Sequence, residues 1–442
     1  MKKMALAVAL LLLLGMLPGM AEDSLAALPL DSDENIRAAI DAVYEEYLAS
    51  IQHRKNELAD GKITIGDITM RVYTDVIGEP DENGYPLYIC LHGGGFSPTP
   101  ALNDSQWEHM KVYYKSAVEY GVYIAPRGIR DVSNTHSNPE SYAFFDRIIE
   151  NAIAFYHVDP NRVYLMGFSA GGDGVYQLSP RMADRFAAAN MSAGSPSQVS
   201  LVNLYNLPFY LQVGSKDTAY DRNILTAQYD EKLNQLAEKY GGYPHKTFIH
   251  MFKPHNFLDN GRPKQIVFKN VKAWLEEGDE SSHLQDTNAV RLTNAHIRNP
   301  LPERVVWEVH MNAPIRNTKC FYWLGRGEKT VGYGTIVALR MGTVVAHYEK
   351  AENKIVVEEC TKSGGILQIY FHPDMVDFSR PVTIDFCGTE HTLSLSPSLA
   401  VMRDTAAQRG DIHHIFCAMV EIDVHDGSIF SINYQKTAES AE

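Results

Sequence analysis

Short apolar runs alternate with amphipathic segments along the first two thirds of the chain, and this alternation limits the folds it can adopt. Short apolar runs predict strands. In the segments between them, apolar residues recur at the spacing of a helix turn. Such strands are typical of a mostly parallel sheet that helices cover on both faces. The predicted strands are 62–76, 85–91, 122–126, 162–166, 208–213 and 247–252. The predicted helices lie near 104–120, 139–156, 171–187, 221–240 and 263–277.

The pattern changes near residue 278. Residues 279–300 are polar and lose their periodicity, which predicts a linker. Short β-rich runs between turn residues follow, as in an all-β sandwich. A chain of 442 residues is also too long for one ordinary core. We therefore predict an α/β domain over 61–278 and a β-sandwich-like accessory domain over 301–435.

The N-terminal residues predict a signal peptide over 1–21. Two lysines precede an apolar run, and Ala21 offers a small residue for cleavage. An uncleaved membrane anchor is the alternative. In residues 22–60, apolar side chains recur at helical spacing, which predicts a helical segment before the α/β domain.

The segment Gly-Phe-Ser-Ala-Gly at 167–171 lies between a predicted strand and a predicted helix. In this context, G-x-S-x-G places a serine at a sharp turn on the carboxyl edge of a sheet, and its glycines leave space that side chains would fill. The adjoining helix N-terminus favours negative charge that develops on a substrate oxygen. We therefore predict Ser169 as a nucleophile.

Three consecutive glycines, Gly93, Gly94 and Gly95, come shortly after the predicted strand 85–91. Their unobstructed N–H groups suit an oxyanion hole, and the N–H of Ala170, directly after the serine, is the expected second donor. A flexible turn is the structural alternative. The order of glycine loop and serine motif along the chain favours the oxyanion hole.

The partners of such a serine follow in the order acid, then histidine. Asp217 comes just after a predicted strand, whereas Asp221 is better placed to cap the next helix. His255 lies in a loop after the last predicted strand of this domain, whereas His250 lies within that strand. We therefore predict that His255 accepts the serine proton and that Asp217 orients its imidazole.

The segment Arg162–Phe186, with Gly-Phe-Ser-Ala-Gly-Gly-Asp-Gly and then Arg-Phe-Ala-Ala-Ala from Arg185, resembles secreted esterases related to polyhydroxybutyrate depolymerases, feruloyl esterases and predicted peptidases. The resemblance extends over roughly residues 62–277. It implies an α/β-hydrolase fold, no cofactor, and short-chain, aromatic or polymer-linked esters as substrates. A serine peptidase of the same fold is one alternative. A polysaccharide-binding protein with an inactive hydrolase scaffold is another.

The composition limits the kinds of partner that the chain is expected to bind. The net charge is −14 and no basic stripe is present, which argues against a nucleic-acid partner. In the predicted accessory domain, Trp307, Tyr322 and Trp323 are candidates for a carbohydrate-stacking platform, with burial in the sandwich core as the alternative. The expected partner is therefore a small or polymeric ester, with carbohydrate contact through this domain as a further possibility.

Other polar residues and the cysteines leave alternatives open. His136 either lines an acyl pocket or belongs to an ordinary surface loop, and Asp173 is expected to satisfy N–H groups at a helix terminus. Cys90 is predicted as a buried thiol. Four further cysteines either pair in disulfides or stay free, and none has metal-ligand spacing: Cys320, Cys360, Cys387 and Cys417.

Overall fold

The computed structural model describes residues 29–260, 264–309, 319–327, 329–331, 335–337, 342–361 and 365–431. The predicted signal peptide lies outside these ranges and stays a prediction. Within them, the helices are all too short or too polar to cross a membrane.

The largest element of the structure is a ten-stranded sheet with the order β1-β2-β4-β3-β5-β6-β7-β8-β9-β10. Neighbours from β4 to β8 pair in parallel, whereas β2 pairs antiparallel with β4 and β9 pairs antiparallel with β8. The strands are β1 Lys62–Ile65, β2 Ile68–Ile77, β3 Tyr85–Leu91, β4 Gly121–Pro126, β5 Val158–Phe168, β6 Ala188–Ser192, β7 Phe209–Gly214, β8 His245–His250, β9 Gln265–Phe268 and β10 Ser282–Gln285.

Helices cover this sheet and extend into the C-terminal part of the chain. They are α1 Asp33–Ser50, α2 Ala101–Tyr113, α3 Ser141–Tyr156, α4 Ala170–Leu178, α5 Arg222–Tyr240, α6 Val271–Glu277, α7 Ala289–Asn294 and α8 Leu399–Arg409. Short 3-10 turns lie at Gln52–Arg54, Lys115–Ala117, Ser179–Arg181, Ala183–Arg185, Val202–Leu204, Ala219–Asp221 and Ile412–His414.

Strand β3 shows why its sequence is apolar throughout. Leu87 and Ile89 belong to the same buried cluster as Phe145 of α3. Tyr88 and Cys90 point to the opposite face and belong to the cluster that includes residues of α2. Because successive side chains alternate between two covered faces, the strand has no polar side. With its strand order, this two-layered covering confirms the predicted α/β-hydrolase fold.

Several local predictions were wrong. The predicted helix 263–277 contains strand β9 in its first half, and helix α6 starts only at Val271. The Ala-rich residues of β6 form a strand because β5 and β7 pair with them on both sides. The predicted linker 279–300 contains β10 and α7. Strand β10 lies at the edge of the sheet and has one paired neighbour, β9.

The C-terminal part contains two five-stranded sheets, with orders β11-β16-β17-β19-β20 and β12-β13-β18-β21-β22, and a two-stranded sheet β14-β15. The strands are β11 Arg304–Glu308, β12 Cys320–Phe321, β13 Leu324–Gly327, β14 Lys329–Val331, β15 Thr335–Val337, β16 Thr343–Glu349, β17 Lys354–Cys360, β18 Ile366–Phe371, β19 Val382–Phe386, β20 Thr389–Leu393, β21 Ala418–Asp423 and β22 Ile429–Ser431.

Aromatic side chains join the two larger C-terminal sheets. The rings of Trp307 on β11 and Phe321 on β12 stack with centroids 6.3 Å apart. Trp307 and Trp323 are 0% exposed and Tyr322 is 2% exposed. These three side chains therefore form core, and the suggested carbohydrate platform at these residues is wrong. The separate sheets agree with a β domain, although helix α8 was not predicted.

Helix α1 begins at an N-cap serine, Ser32, whose side chain accepts a hydrogen bond from the Asn35 N–H. Its apolar face, which includes Ile36 and Ile40, packs in one cluster with Met402 of α8. The helical segment that precedes the α/β part in sequence is therefore packed against the C-terminal part in space.

A buried ion pair joins the two parts of the chain. The Arg298 guanidinium donates to Asp411 Oδ2 at 2.7 Å and to the carbonyl of Asp184 at 2.7 Å. Arg185 Nη1 lies 3.7 Å from the same carboxylate oxygen. Burial alone would raise the pKa of Asp411, but the charge of Arg298 holds that pKa well below its usual range.

Cys90, Cys387 and Cys417 are free thiols. All five cysteines lie within the described ranges, and Cys387 is the exposed one. Burial raises the pKa of the Cys90 and Cys417 thiols well above their usual range, so both are inert core residues.

We predict that Asp411→Ala destabilises the protein strongly, because it leaves Arg298 buried without its carboxylate. The expected loss is about 3–5 kcal/mol of unfolding free energy, measured by urea titration. Asp404→Ala removes an exposed carboxylate in α8 and is the matched control. Equal effects of the two substitutions would contradict the prediction.

Candidate active site

Ser169 lies at a tight turn between β5 and α4. Its backbone has φ 60° and ψ −123°, a conformation that a residue with a side chain adopts at an energetic cost. A Cβ atom on Gly171 would lie 2.1 Å from the carbonyl oxygen of Leu91, so this position requires glycine. The Ser169 N–H donates to the carbonyl of Ser192 at 2.9 Å, which secures the turn to strand β6.

The structure brings together three predicted site residues that are far apart in sequence. His255 Nε2 lies 3.0 Å from Ser169 Oγ, and His255 Nδ1 lies 2.7 Å from Asp217 Oδ2. Asp217 is 2% exposed. With Nδ1–H donating to the carboxylate, Nε2 carries a free electron pair and accepts from the serine hydroxyl. This arrangement can remove a proton from the serine.

Backbone hydrogen bonds hold the acid loop and the histidine loop side by side. The Lys216 N–H donates to the carbonyl of Lys253 at 2.9 Å, and the Ser215 N–H donates to the carbonyl of His250 at 3.0 Å. Asp221, the alternative acid, occupies the N-cap position of α5 but its side chain makes no capping bond. Strand pairing of β7 with β8 therefore sets the distance between Asp217 and His255.

The glycine loop lies directly beside the serine. A Cβ atom on Gly93 would be 3.4 Å from Ser169 Cβ. The Gly95 N–H donates to Asn103 Oδ1 at 2.8 Å, and the Asn103 amide donates back to the Gly95 carbonyl at 2.8 Å. The Gly95 N–H is thus engaged, whereas the N–H groups of Gly93 and Gly94 donate no hydrogen bond within the described residues. The candidate oxyanion donors therefore narrow to Gly93, Gly94 and Ala170.

Two buried histidines hold the carbonyl groups of the glycine loop. His92 Nε2 accepts from the Gly128 N–H at 3.0 Å, so its proton is on Nδ1, which donates to the Gly93 carbonyl at 2.6 Å. His136 Nε2 donates to the His92 carbonyl at 2.8 Å. Burial lowers the pKa of His92 to about 4 and the pKa of His136 well below 6.5. His136 is therefore a neutral support beneath the loop, and both roles considered for it were wrong.

Asp259 is a buried carboxylate that the sequence did not reveal. It accepts hydrogen bonds from the hydroxyls of Tyr113 at 2.8 Å, Tyr114 at 2.9 Å, and Ser192. Burial raises the pKa of Asp259, and the three hydroxyls oppose this rise. Because Ser192 also accepts from the Ser169 N–H, it links the serine turn to the loop that carries His255. No sequence motif marks Asp259. Its position four residues after His255 is the sequence feature that could have pointed to a role near the site.

The same hydrogen-bond network continues across the sheet. The Asn190 amide donates to Ser192 Oγ at 2.9 Å, and the Gln212 amide donates to Asn190 Oδ1 at 2.7 Å. His250 Nε2 lies 3.0 Å from Gln212 Oε1 and donates to it. The His250 ring stacks on Phe257 of the histidine loop with centroids 4.3 Å apart. His250 is therefore a packed strand residue that supports this loop from below.

Asp173 lies in the first turn of α4 and accepts from its own backbone N–H, as expected for a residue at a helix terminus. Its Oδ1 also accepts from the N–H of Ser195, 2.5 Å away in the loop after β6. Burial raises the pKa of Asp173 to about 6, although that bond and the charges of Arg222 and His255 oppose the rise. A carboxyl group of weakened acidity thus lies near the candidate site.

Comparisons with known proteins give one match at the sequence level. No family model matches the chain. A stretch of 104 residues is 30% identical to a bifunctional acetylxylan esterase/xylanase of Neocallimastix patriciarum. This stretch covers 23% of the present chain and 15% of that relative. The name of the relative agrees with the esterase resemblance predicted from the serine segment.

Solved structures share part of the architecture at low identity. A thermostable esterase covers 44% of the chain, and 55% of its own length, at 19% identity and a TM-score of 0.35. A feruloyl esterase module from Clostridium thermocellum covers 44% of the chain, and 81% of its own length, at 14% identity and a TM-score of 0.32. A putative dipeptidyl aminopeptidase IV from Bacteroides ovatus covers 45% of the chain, and 32% of its own length, at 14% identity and a TM-score of 0.35.

We predict that acidification destabilises the protein in part through His250. Burial lowers the pKa of this imidazole to about 3, so between pH 6.5 and 3 the unfolded chain binds a proton that the folded chain does not. The stability contributed by the neutral ring is thus present above about pH 6.5 and is lost as the pH falls.

In urea titrations at pH 7 and pH 5, His250→Gln should therefore lose about 2 kcal/mol less unfolding free energy than the wild type. His109→Gln, at an exposed position of α2, is the control and should behave like the wild type. The same pH dependence in His250→Gln and the wild type would refute the role of this ring.

Proposed function

We propose that the chain is an exported serine hydrolase that cleaves carboxylic esters through an acyl-enzyme. The observation that carries the proposal is the relay of Ser169 Oγ, His255 Nε2 at 3.0 Å, and Asp217, 2.7 Å from the other ring nitrogen. A serine hydroxyl is a weak nucleophile unless an adjacent base removes its proton. These distances let that transfer occur without rearrangement.

Each residue then has a defined role. Ser169 attacks the acyl carbon while neutral His255 takes its proton, and Asp217 stabilises the imidazolium that forms. The N–H groups of Gly93, Gly94 and Ala170 stabilise the oxyanion. His255 returns the proton to the leaving alcohol, and the same base later activates the water that hydrolyses the acyl-enzyme.

The two buried histidines beneath the glycine loop, His92 and His136, suit this chemistry. A hole made of backbone N–H groups is effective only if its donors are held in place before the charge develops. His92 and His136 hold the carbonyls of two consecutive peptides, and the trans N–H of each peptide points the opposite way. The Gly93 and Gly94 donors are therefore preorganised.

The proposed substrates are short-chain, aromatic or polymer-linked esters, with esters on polysaccharide as the class named by the sequence relative. Amide bonds are the alternative, since the same machinery cleaves them. Rates on p-nitrophenyl acetate and methyl ferulate, compared with aminoacyl nitroanilides, distinguish the two. Faster cleavage of the nitroanilides would assign the chain to the peptidases.

We predict that a fluorophosphonate probe labels the wild type at Ser169 and leaves Ser169→Ala unlabelled. Turnover of p-nitrophenyl acetate by Ser169→Ala should fall by a factor on the order of 10⁶. Ser105→Ala, at an exposed position in α2, controls for the loss of a hydroxyl elsewhere. Near-wild-type turnover by Ser169→Ala would end the proposal.

A further inference from the structure

Exposed aromatic rings are concentrated around the candidate site. Among the described residues, three aromatic side chains are more than half exposed: Phe96 at 72%, Tyr220 at 77% and Phe252 at 53%. The other described aromatic side chains are buried or half-buried. Exposed aromatic rings cost free energy in water, and a group of them marks a binding surface.

Each of these rings belongs to a loop that carries a proposed site residue. Phe96 follows the glycine loop directly, Tyr220 comes three residues after the proposed acid, and Phe252 comes three residues before the proposed histidine. All three loops lie at the carboxyl ends of their strands: β3, β7 and β8. The three rings therefore lie on loops at the edge of the sheet that carries Ser169.

The loop that carries Phe96 is rigid at its base. Gly95, the preceding residue, makes hydrogen bonds through both its N–H and its carbonyl to the buried side chain of Asn103. The Asn103 amide also donates to Asp131 Oδ1 at 2.7 Å. Phe96 is thus an exposed ring on an ordered loop, which lowers the entropy lost on binding a ligand.

The backbone at the other two rings is strained. Tyr220 and Phe252 both have φ 57°, in the left-handed region that aromatic residues rarely adopt. The strain at Phe252 is held by a hydrogen bond from its N–H to Ser215 Oγ at 2.8 Å. Conformations of this kind persist where surrounding bonds enforce them, and they concentrate at binding sites.

Cationic groups accompany these two rings. The Arg222 guanidinium lies 4.8 Å from the ring centroid of Tyr220, and Lys216 Nζ lies 5.4 Å from that of Phe252. Arg222 is buried and lies 3.6 Å from Asp217, so it orients the Tyr220 ring. The exposed Lys216 ammonium also adds hydrogen-bond donors beside an apolar face. Alternating apolar faces and polar donors match a sugar ring, which presents C–H groups on its faces and hydroxyls at its edge.

We propose that Phe96, Tyr220 and Phe252 form an open binding surface for the polysaccharide that carries the scissile ester, which assigns the substrate class of the proposed esterase and rests on that function. A small ester would be enclosed, since pockets bury about 70–90% of such ligands. Exposed rings on three loops at the serine's edge of the sheet instead suit a chain of sugars that crosses the site.

The test compares kcat/KM for acetate release from acetylated xylan and from acetylated glucomannan with kcat/KM for p-nitrophenyl acetate. In Phe96→Ala, Tyr220→Ala and Phe252→Ala, the polymer-to-small-ester ratio should fall about three- to tenfold, mainly through KM for the polymer. Ile297→Ala and Leu284→Ala remove apolar side chains that are 73% and 56% exposed elsewhere and should leave the ratio unchanged.

An unchanged ratio in all three aromatic variants would overturn the proposal. Equal losses on methyl ferulate and on the polymers would also overturn it, because the rings would then bind an aromatic acyl group.

A binding assay separates this inference from the esterase activity. Full-length Ser169→Ala should be retarded in native gels that contain xylan, and the added Tyr220→Ala or Phe252→Ala change should reduce the retardation. Absence of retardation would count against the surface even if the wild type cleaves esters. Retardation of a protein whose wild type cleaves no ester would overturn the proposed function and leave only the binding surface.

Discussion

The close approach of the serine turn to the end of strand β3 determines where the other parts of the site must lie. Gly171 packs so tightly against the Leu91 carbonyl that a Cβ atom would be only 2.1 Å from it. This contact places the start of helix α4 beneath the glycine loop that follows β3. The parallel strands β7 and β8 then deliver the acid and the histidine to the same edge.

Below this edge, buried polar groups form a continuous support. Asp259, Ser192, Asn190, Gln212 and His250 are each 0% exposed. Buried polar groups are costly unless they are hydrogen-bonded, so this chain of hydrogen bonds favours one arrangement of the loops above it. The buried histidines contribute as neutral rings, because burial disfavours their charged form.

The C-terminal sheets share a core with the α/β part. One apolar cluster extends from Leu87 of β3 to Trp307 of β11, and the Arg298–Asp411 pair lies buried between the two parts. The described aromatic residues of these sheets pack in the core. The exposed rings lie instead on loops of the α/β part, which is why we propose the polymer contact at the site itself.

The sequence by itself determined the features that depend on local order. The alternation of apolar runs gave the sheet, and the serine motif, the glycine triplet and the positions of Asp217 and His255 gave the candidate site. These features can be predicted from the sequence because each depends on residues that are neighbours in the chain. Even the choice between His255 and His250 followed from whether each lies in a loop or in a strand.

The tertiary structure alone decided which groups meet across long separations. Residues of β6, β9 and β10 form strands because neighbouring strands pair with them. The hydrogen bond from the Gly95 N–H to Asn103 likewise depends on two segments that meet only in the folded chain. The tertiary structure also gave Asp259 its three hydroxyl donors and left Phe96, Tyr220 and Phe252 in solvent. Side-chain burial and hydrogen-bond partners depend on packing between distant segments, and no local pattern records that packing.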